Sequence, residues 1–269
     1  MSKIRTGEIT THVQRLPATT VPVHGGEPQV VVFVHGLLTD SLASYYFTLG
    51  PAFAAAGHDV VMYDLRGHGR SDRPRTGYRL EAFVDDLAAL LDGLEIPGRV
   101  HLVGNSFGGT IAAGFAAWYP DRVATITMIE SEPPVALWNE HMAAGLADAK
   151  THLVLEESIS WIAANHGAHT ARLSRNAGRI LRTTTLAEDV PLSRTIDDDL
   201  SALTCPLLAV FGDESGLGAQ APDLEKRVAG CRTVILPEQG HSVLVEQPAV
   251  TRDLILEWIA EHTPAGALR

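Results

Sequence analysis

The sequence predicts an α/β fold with a mostly parallel sheet flanked by helices. From residue 30 onward, short β-branched apolar segments alternate with longer helical patterns, as right-handed strand–helix–strand crossovers require. The chain has 269 residues, of which 45% are hydrophobic, so it can bury one large core. We therefore expect a single α/β unit that carries an insertion.

Six strands are predicted where runs of Val, Ile and Leu are bounded by turn residues: Val30–Val34, Asp59–Tyr63, Arg99–Val103, Ala124–Ile129, Pro206–Phe211 and Arg232–Leu236. Two earlier segments, Glu8–Gln14 and Thr20–His24, are predicted to form an antiparallel hairpin ahead of them. Helices are predicted between the strands, at Leu42–Ala56, Leu80–Leu94, Phe107–Trp118, Pro222–Ala229 and Pro248–Glu261.

The alternation of strands and helices stops after Ile129, and residues 133–197 show helical patterns alone. We predict a helical lid over residues 133–197, inserted after the sixth strand into a core made of residues 1–132 and 198–269. Trp138 and Trp161 lie in this lid. They are candidates for substrate binding in an apolar pocket under the lid, and the alternative interpretation is that they pack a satellite core.

Composition excludes several classes of function. The formal net charge is −11 and no basic stripe is visible, which argues against nucleic acid and anionic membrane surfaces as partners. No apolar run approaches ~18 residues, and the polar start of the chain lacks the apolar region of a signal peptide, so we predict a cytoplasmic protein. The twelve histidines and two cysteines lack the spacing of metal ligands, so we predict no metal.

The segment around Ser106 predicts a nucleophile elbow. Ser106 follows an apolar strand and precedes a helix of small residues, with Gly104 and Gly108 two positions to either side. Glycines at these positions allow the strand and helix backbones to pass in a sharp turn, which exposes the serine hydroxyl. The next amide, that of Phe107, begins the helix and is therefore suited to stabilise an oxyanion.

A serine nucleophile requires a base and a second amide for the oxyanion. His241 is the predicted base, because it lies in a turn-rich loop after the last strand, at the sheet edge where Ser106 is exposed. The second oxyanion donor is predicted to be the amide of Leu37, in the loop that follows the strand Val30–Val34.

Four motifs together resemble those of the α/β-hydrolase fold family: His35-Gly36 after the third strand, residues 63–72 (YDLRGHGRSD) after the fourth, Gly104–Gly109 at the elbow, and Gly240-His241 after the eighth. The resemblance covers nearly all of the chain. It implies an eight-stranded, mostly parallel sheet with a lid and no cofactor. It also implies a Ser–His–acid triad.

The acid of the triad departs from the pattern of the family that the chain resembles. That family usually carries it in the loop after the seventh strand, where this chain has Ser215 and Gly216 at the expected positions. Asp213 or its neighbour Glu214 could serve from the same loop, and Glu130 follows the sixth strand, where some members carry the acid; Glu130 and Asp213 are the two leading candidates. Both carboxylates remain candidates at this point.

The sequence favours a serine hydrolase that cleaves an ester, thioester or carbon–carbon bond of a small apolar molecule or a carrier-bound acyl group. An alternative is a non-hydrolytic enzyme, such as a lyase, acyl transferase or cyclase of a biosynthetic pathway, whose lid excludes water. A third class is a binding module on the same scaffold, because fold does not determine function. Reactivity of Ser106 separates the enzymes from the binding module.

Overall fold

The computed structural model describes residues 2–22, 26–197 and 200–263. The strands are β1 Ser2–Thr6, β2 Ile9–Leu16, β3 Val30–Val34, β4 Asp59–Tyr63, β5 Val100–Asn105, β6 Val123–Ile129, β7 Leu207–Gly212 and β8 Cys231–Leu236. They form one eight-stranded sheet in the order β1-β2-β4-β3-β5-β6-β7-β8. β2 pairs antiparallel with β1 and β4, and the remaining pairs are parallel, so the predicted mostly parallel sheet is confirmed.

The six predicted parallel strands agree with the structure, and the predicted hairpin is half correct. β2 pairs with Ser2–Thr6 across a turn at Gly7, which has φ +59°. Thr20–His24 was the wrong partner: residues 20–22 are not in a strand, and residues 23 and 24 lie outside the described residues. β1 could not be predicted from an apolar pattern, because it is an edge strand. Its side chains are mostly exposed, so most of its residues are polar.

The helices are α1 Ala43–Tyr46, α2 Gly50–Ala55, α3 Leu80–Gly93, α4 Phe107–Trp118, α5 Ala136–His152, α6 Glu156–Thr183, α7 Leu186–Asp189, α8 Ala221–Arg227, α9 Val243–Glu246 and α10 Pro248–Glu261. The predicted helix Leu42–Ala56 is therefore two helices, α1 and α2. α5, α6 and α7 form the predicted helical insertion between β6 and β7. Residue 198, where the core was predicted to resume after the insertion, lies outside the described residues.

α6 is broken at Gly167, whose φ of +85° and ψ of +163° are not helical. Within the described ranges, no helix combines the length and apolarity needed to cross a membrane.

Both faces of the sheet are covered. Alternate residues of β3 point to opposite sides, so Val32 and Val34 pack in one buried cluster while Val31 and Phe33 pack in another. The first cluster includes side chains of α3, α4 and the insertion, and the second includes side chains of α1, α2, α9 and α10. With both faces buried, the edge at the carboxyl ends of the strands is the place where polar loops converge.

Candidate active site

Ser106 occupies a strained turn between β5 and α4, with φ +52° and ψ −125°. A Cβ atom at Gly104 would lie 2.2 Å from the carbonyl oxygen of Gly108, and one at Gly108 would lie 2.0 Å from that of Val34. Neither position has room for a side chain, so the strand–turn–helix geometry predicted for Ser106 is present. A non-glycine residue with positive φ stores strain that the surrounding structure must hold in place.

His241 lies in the loop between β8 and α9, and its ring bridges Ser106 and a carboxylate. The Ser106 hydroxyl is 3.2 Å from His241 Nε2, and His241 Nδ1 is 3.0 Å from Glu130 Oε2. A carboxylate accepts hydrogen bonds, so Nδ1 carries the proton and its N–H donates a hydrogen bond to Glu130 Oε2. Nε2 is then free to accept the proton of the Ser106 hydroxyl, which is the arrangement that a general base requires.

Glu130 directly follows β6 and is 1% exposed. Its backbone has a φ of +49°, and its N–H donates to the carbonyl oxygen of Val210 at 2.8 Å. The backbone N–H of Gly212 donates to Oε1, so one carboxylate oxygen is held by β7 while Oε2 faces His241. The neighbouring Ile129 carbonyl accepts the N–H of Ser106 at 2.8 Å. Pairing of adjacent strands therefore fixes Ser106 and Glu130 relative to each other.

Asp213 lies in the loop after β7 and is exposed. Its Oδ1 accepts a hydrogen bond from the backbone N–H of Gln239 at 3.3 Å, and the N–H of Glu214 donates to the carbonyl of Gln239 at 2.9 Å. These contacts tie the loop after β7 to the loop that carries His241. Of the two candidate acids, Glu130 contacts the ring of His241. Asp213 instead contacts the backbone of Gln239, in the loop that carries His241.

The loop after β3 contributes Leu37, the predicted second oxyanion donor. The amides on either side of Leu37 are both fixed: the Gly36 N–H donates to Asp40 Oδ2 at 3.1 Å, and the Leu38 N–H donates to His68 Nε2 at 2.8 Å. Leu37 lines the same cleft as Ser106. Phe107 supplies the first amide of α4, a position whose N–H has no acceptor within its own helix.

Two buried histidines, His35 and His68, support this loop from behind. His35 Nε2 accepts the N–H of Leu65 at 3.0 Å, and its Nδ1–H donates to the Gly36 carbonyl at 2.7 Å. Burial lowers the pKa of both rings, and that of His68 falls to about 3. Both imidazoles are thus neutral near pH 7, as their role as acceptors of backbone N–H groups demands.

The two tryptophans of the insertion lie in different surroundings. Trp138 on α5 is 2% exposed and stacks on the ring of Phe107, with centroids 6.1 Å apart. Trp161 on α6 is 60% exposed and contacts the ring of His166 edge-on. The structure therefore brings Trp138 behind the elbow, as core packing, and does not bring Trp161 to Ser106.

A cleft of about 210 Å³ opens above Ser106, and all of its lining residues belong to the core: Gly36, Leu37, Thr39, Asp40, Ser44, Asn105, Ser106, His241, Ser242, Leu244 and Val245. Sequence reasoning missed Asp40 and Asn105 as cleft residues. The available signal was position, because both are next to predicted site residues on loops that end at the same sheet edge. Among the described residues, no group of three or more His, Cys, Asp or Glu is arranged to hold a metal ion.

Comparison with known proteins agrees with this fold. A family model of the α/β hydrolase fold matches residues 29–158, which span β3, the elbow and the start of the insertion. Together with the eight-stranded sheet and the helices between β6 and β7, this match shows that the chain has the α/β-hydrolase fold.

Similar proteins include 2-(acetamidomethylene)succinate hydrolase from Mesorhizobium japonicum, 27% identical over 262 residues that cover 87% of this chain and 89% of that protein. Non-heme chloroperoxidase from Streptomyces lividans is 37% identical over 94 residues, which cover 35% of this chain and only 34% of that relative's length. A thermophilic esterase from Thermogutta terrifontis has a similar structure, with a TM-score of 0.73, 23% identity and coverage of 98% and 99% of the two chains. All three of these similar proteins are enzymes, and the structural likeness to the esterase concerns the fold.

Proposed function

We propose that the chain is a serine hydrolase that cleaves an ester, thioester or carbon–carbon bond of a small substrate through Ser106, His241 and Glu130. The observation that carries this proposal is the continuous hydrogen-bonded series in which Ser106 Oγ lies 3.2 Å from His241 Nε2 and His241 Nδ1 lies 3.0 Å from Glu130 Oε2. A nucleophile, a base and an acid in this order activate a serine hydroxyl.

In the first half of the reaction, Ser106 Oγ attacks the carbonyl carbon of the substrate while its proton moves to His241 Nε2. Negative charge develops on the carbonyl oxygen, and the amides of Leu37 and Phe107 are proposed to stabilise it. When the tetrahedral intermediate collapses, the bond to the leaving group breaks and His241 returns the proton to that group. The acyl group is then bound to Ser106 as an ester.

In the second half, water replaces the leaving group. His241 removes a proton from the water, the resulting hydroxide attacks the acyl carbon, and Ser106 recovers the proton as the acid is released. The His241 side chain is 55% exposed, so bulk water has access to its ring. This access supports hydrolysis over non-hydrolytic transfer, which requires that water be kept from the acyl-enzyme.

Glu130 is proposed to keep the Nδ1–H tautomer of His241 and to stabilise the imidazolium that forms during each proton transfer. Its side chain is fully buried, and the Gly212 amide holds the second oxygen, so the carboxylate cannot turn away from the ring. Asp213 is proposed to have a structural role, because its contact is with the backbone of the loop that carries His241.

Labelling with a fluorophosphonate probe, followed by mass mapping, tests the nucleophile. We expect the probe to modify Ser106 in the folded wild-type protein, and to modify neither heat-denatured wild type nor the Ser106→Ala variant. Absence of labelling at Ser106 would contradict the enzyme proposal. Turnover of p-nitrophenyl esters of short and medium acids then tests hydrolysis. Labelling without turnover of any ester would instead favour the lyase, acyl transferase or cyclase class.

A further inference from the structure

The cleft above Ser106 contains a carboxylate that the proposed catalysis does not use. Asp40 lies four residues after Gly36, at the end of the loop that carries Leu37, and is half-buried. It lines the same cleft as Ser106 and His241. The inference below rests on the proposed function, because it concerns which substrates reach Ser106.

The Asp40 carboxylate is held in a fixed position. Its Oδ2 accepts the backbone N–H of Gly36 at 3.1 Å, and its Oδ1 accepts the hydroxyl of Ser44 at 3.3 Å. The Asp40 carboxylate lies so close to the backbone of Gly36 that a Cβ atom at Gly36 would be 2.6 Å from Oδ2. Because both oxygens are anchored, the negative charge stays at one point of the cleft wall.

Nothing in the cleft wall balances this charge. The described residues that line the cleft include no Lys and no Arg. The wall therefore presents a carboxylate with no cationic side chain beside it, and a bound molecule with hydrogen-bond donors or positive charge would complement this carboxylate.

We propose that Asp40 is a specificity-determining residue that selects substrates by charge. Esters that carry an ammonium group are favoured in the cleft, and esters that carry a carboxylate are disfavoured. A substrate carboxylate would lose water next to an unpaired negative charge, whereas an ammonium group would gain the Coulomb attraction of Asp40 in a partly buried site. Leu37, Leu244 and Val245 provide apolar contacts for the uncharged part of either substrate.

Two series of esters of matched length test this proposal. The acyl series consists of p-nitrophenyl hexanoate, p-nitrophenyl 5-(trimethylammonio)pentanoate and mono-p-nitrophenyl adipate. The leaving-group series consists of the butanoyl esters of 3,3-dimethylbutanol, choline and 3-hydroxypropanoate. For each series we compare the kcat/KM of the cationic ester with that of the anionic ester, after subtraction of spontaneous hydrolysis. We expect a ratio of at least about ten in the series whose charged end lies toward Asp40.

The Asp40→Asn variant removes the charge and keeps an oxygen that can accept the Gly36 N–H. We expect this variant to reduce the cationic-to-anionic ratio by about tenfold. Asp40→Glu retains the charge and should retain the preference. Asp121→Asn is the matched control, because Asp121 is exposed on a surface turn and its loss changes the net charge equally. Activity on the neutral esters verifies that each variant is folded.

A wild-type ratio at or below one in both series would overturn the proposal, whatever the variants do. An Asp40→Asn variant that hydrolyses the neutral esters and keeps the wild-type ratio would also overturn it, since the preference would then come from another group. If wild type hydrolyses none of the neutral esters, the result contradicts the serine hydrolase proposal instead. The two proposals therefore fail on different measurements.

Discussion

The carboxyl edge of the sheet and the helical insertion above it are organised in different ways. At the edge, strand pairing fixes Ser106 and Glu130, and hydrogen bonds tie the loop of His241 to the loop after β7. In the insertion, the first half of α6 is largely exposed, with Ile159 buried and Trp161 exposed. The edge supplies all the described lining residues of the cleft, and the insertion supplies none.

This difference leads us to expect that the sheet edge determines activity and that the buried part of the insertion contributes to stability. Residues at the edge are positioned by the backbone, so their geometry survives small changes in side-chain packing. The insertion reaches the elbow through Trp138, which stacks on Phe107, the residue that follows Ser106. We therefore expect edge variants to change activity, buried insertion variants to change stability, and exposed insertion variants to change neither.

The largest expected effect comes from the carboxylate behind His241. Glu130→Gln should reduce the kcat for an activated ester by about 10⁴, because the amide no longer enforces the Nδ1–H tautomer of His241. Asp213→Asn is the matched change in the loop after the neighbouring strand β7 and should alter kcat by less than about threefold, since the Asp213 carboxylate accepts a hydrogen bond from the backbone of Gln239. Circular dichroism should show both variants folded. Equal losses in the two variants would contradict the assignment of Glu130.

Trp138 and Trp161 provide the next comparison, within the insertion itself. Trp138→Ala should lower the free energy of unfolding by about 3–5 kcal/mol, because it removes a buried ring that packs on Phe107. Trp161→Ala should change it by less than about 0.5 kcal/mol, because this side chain is mostly exposed. Urea unfolding measures both values. Similar losses in the two variants would show that the first half of α6 is packed more tightly than the structure indicates.

Substitution of Gly108, at the elbow, is expected to have a smaller effect on stability. Gly108→Ala should cost about 3 kcal/mol, because the new Cβ would lie 2.0 Å from the carbonyl oxygen of Val34. Gly114→Ala is the control in the same helix, where the new Cβ would lie 3.4 Å from Leu80 Cδ2, at ordinary contact distance. Alanine favours helix over glycine by about 1 kcal/mol, so this control should be neutral or slightly stabilising in urea unfolding.

The pH dependence of stability tests the loop behind Leu37. Burial lowers the pKa of His68 from 6.5 to about 3. Between these values the unfolded chain binds a proton at residue 68 that the folded chain does not, so the free energy of unfolding falls as the pH falls below 6.5. One such group contributes about 1.4 kcal/mol per pH unit, or about 2 kcal/mol between pH 6.5 and 5.

His68→Gln removes this contribution, so its stability should decline less steeply on acidification than that of wild type. Urea unfolding at pH 7, 6 and 5 measures the two slopes. His169→Gln is the control, because His169 is exposed on α6 and its substitution should leave the wild-type slope unchanged. Parallel slopes for wild type and His68→Gln would show that His68 does not remain neutral in the folded loop.

Much of the sheet and of the site followed from local sequence. The elbow depends on Gly104, Ser106 and Gly108, which are adjacent in the chain, and His241 follows a strand whose end is defined by a turn-rich loop. The choice between Glu130 and Asp213 did not follow, because both come after neighbouring strands at the same edge. It depends on the left-handed backbone of Glu130 and on the amide of Gly212, a contact between residues 82 positions apart.

The same distinction applies outside the triad. The burial of Trp138 and the exposure of Trp161 depend on tertiary packing, because both are tryptophans on helices of the same insertion. Asp40 became visible as a cleft residue only when the loop after β3 was placed beside the elbow. The pairing of β1 with β2 was also hidden, because an exposed edge strand does not need an apolar pattern.

The rate at which a fluorophosphonate modifies Ser106 tests the central claim most directly, because it reports the activation of the nucleophile without substrate binding or product release. We predict that Asp213→Asn reacts within about threefold of wild type, and that Glu130→Gln reacts slower by about 10³ or more. The opposite result, with a slow Asp213→Asn variant and a Glu130→Gln variant as fast as wild type, would contradict a triad of Ser106, His241 and Glu130.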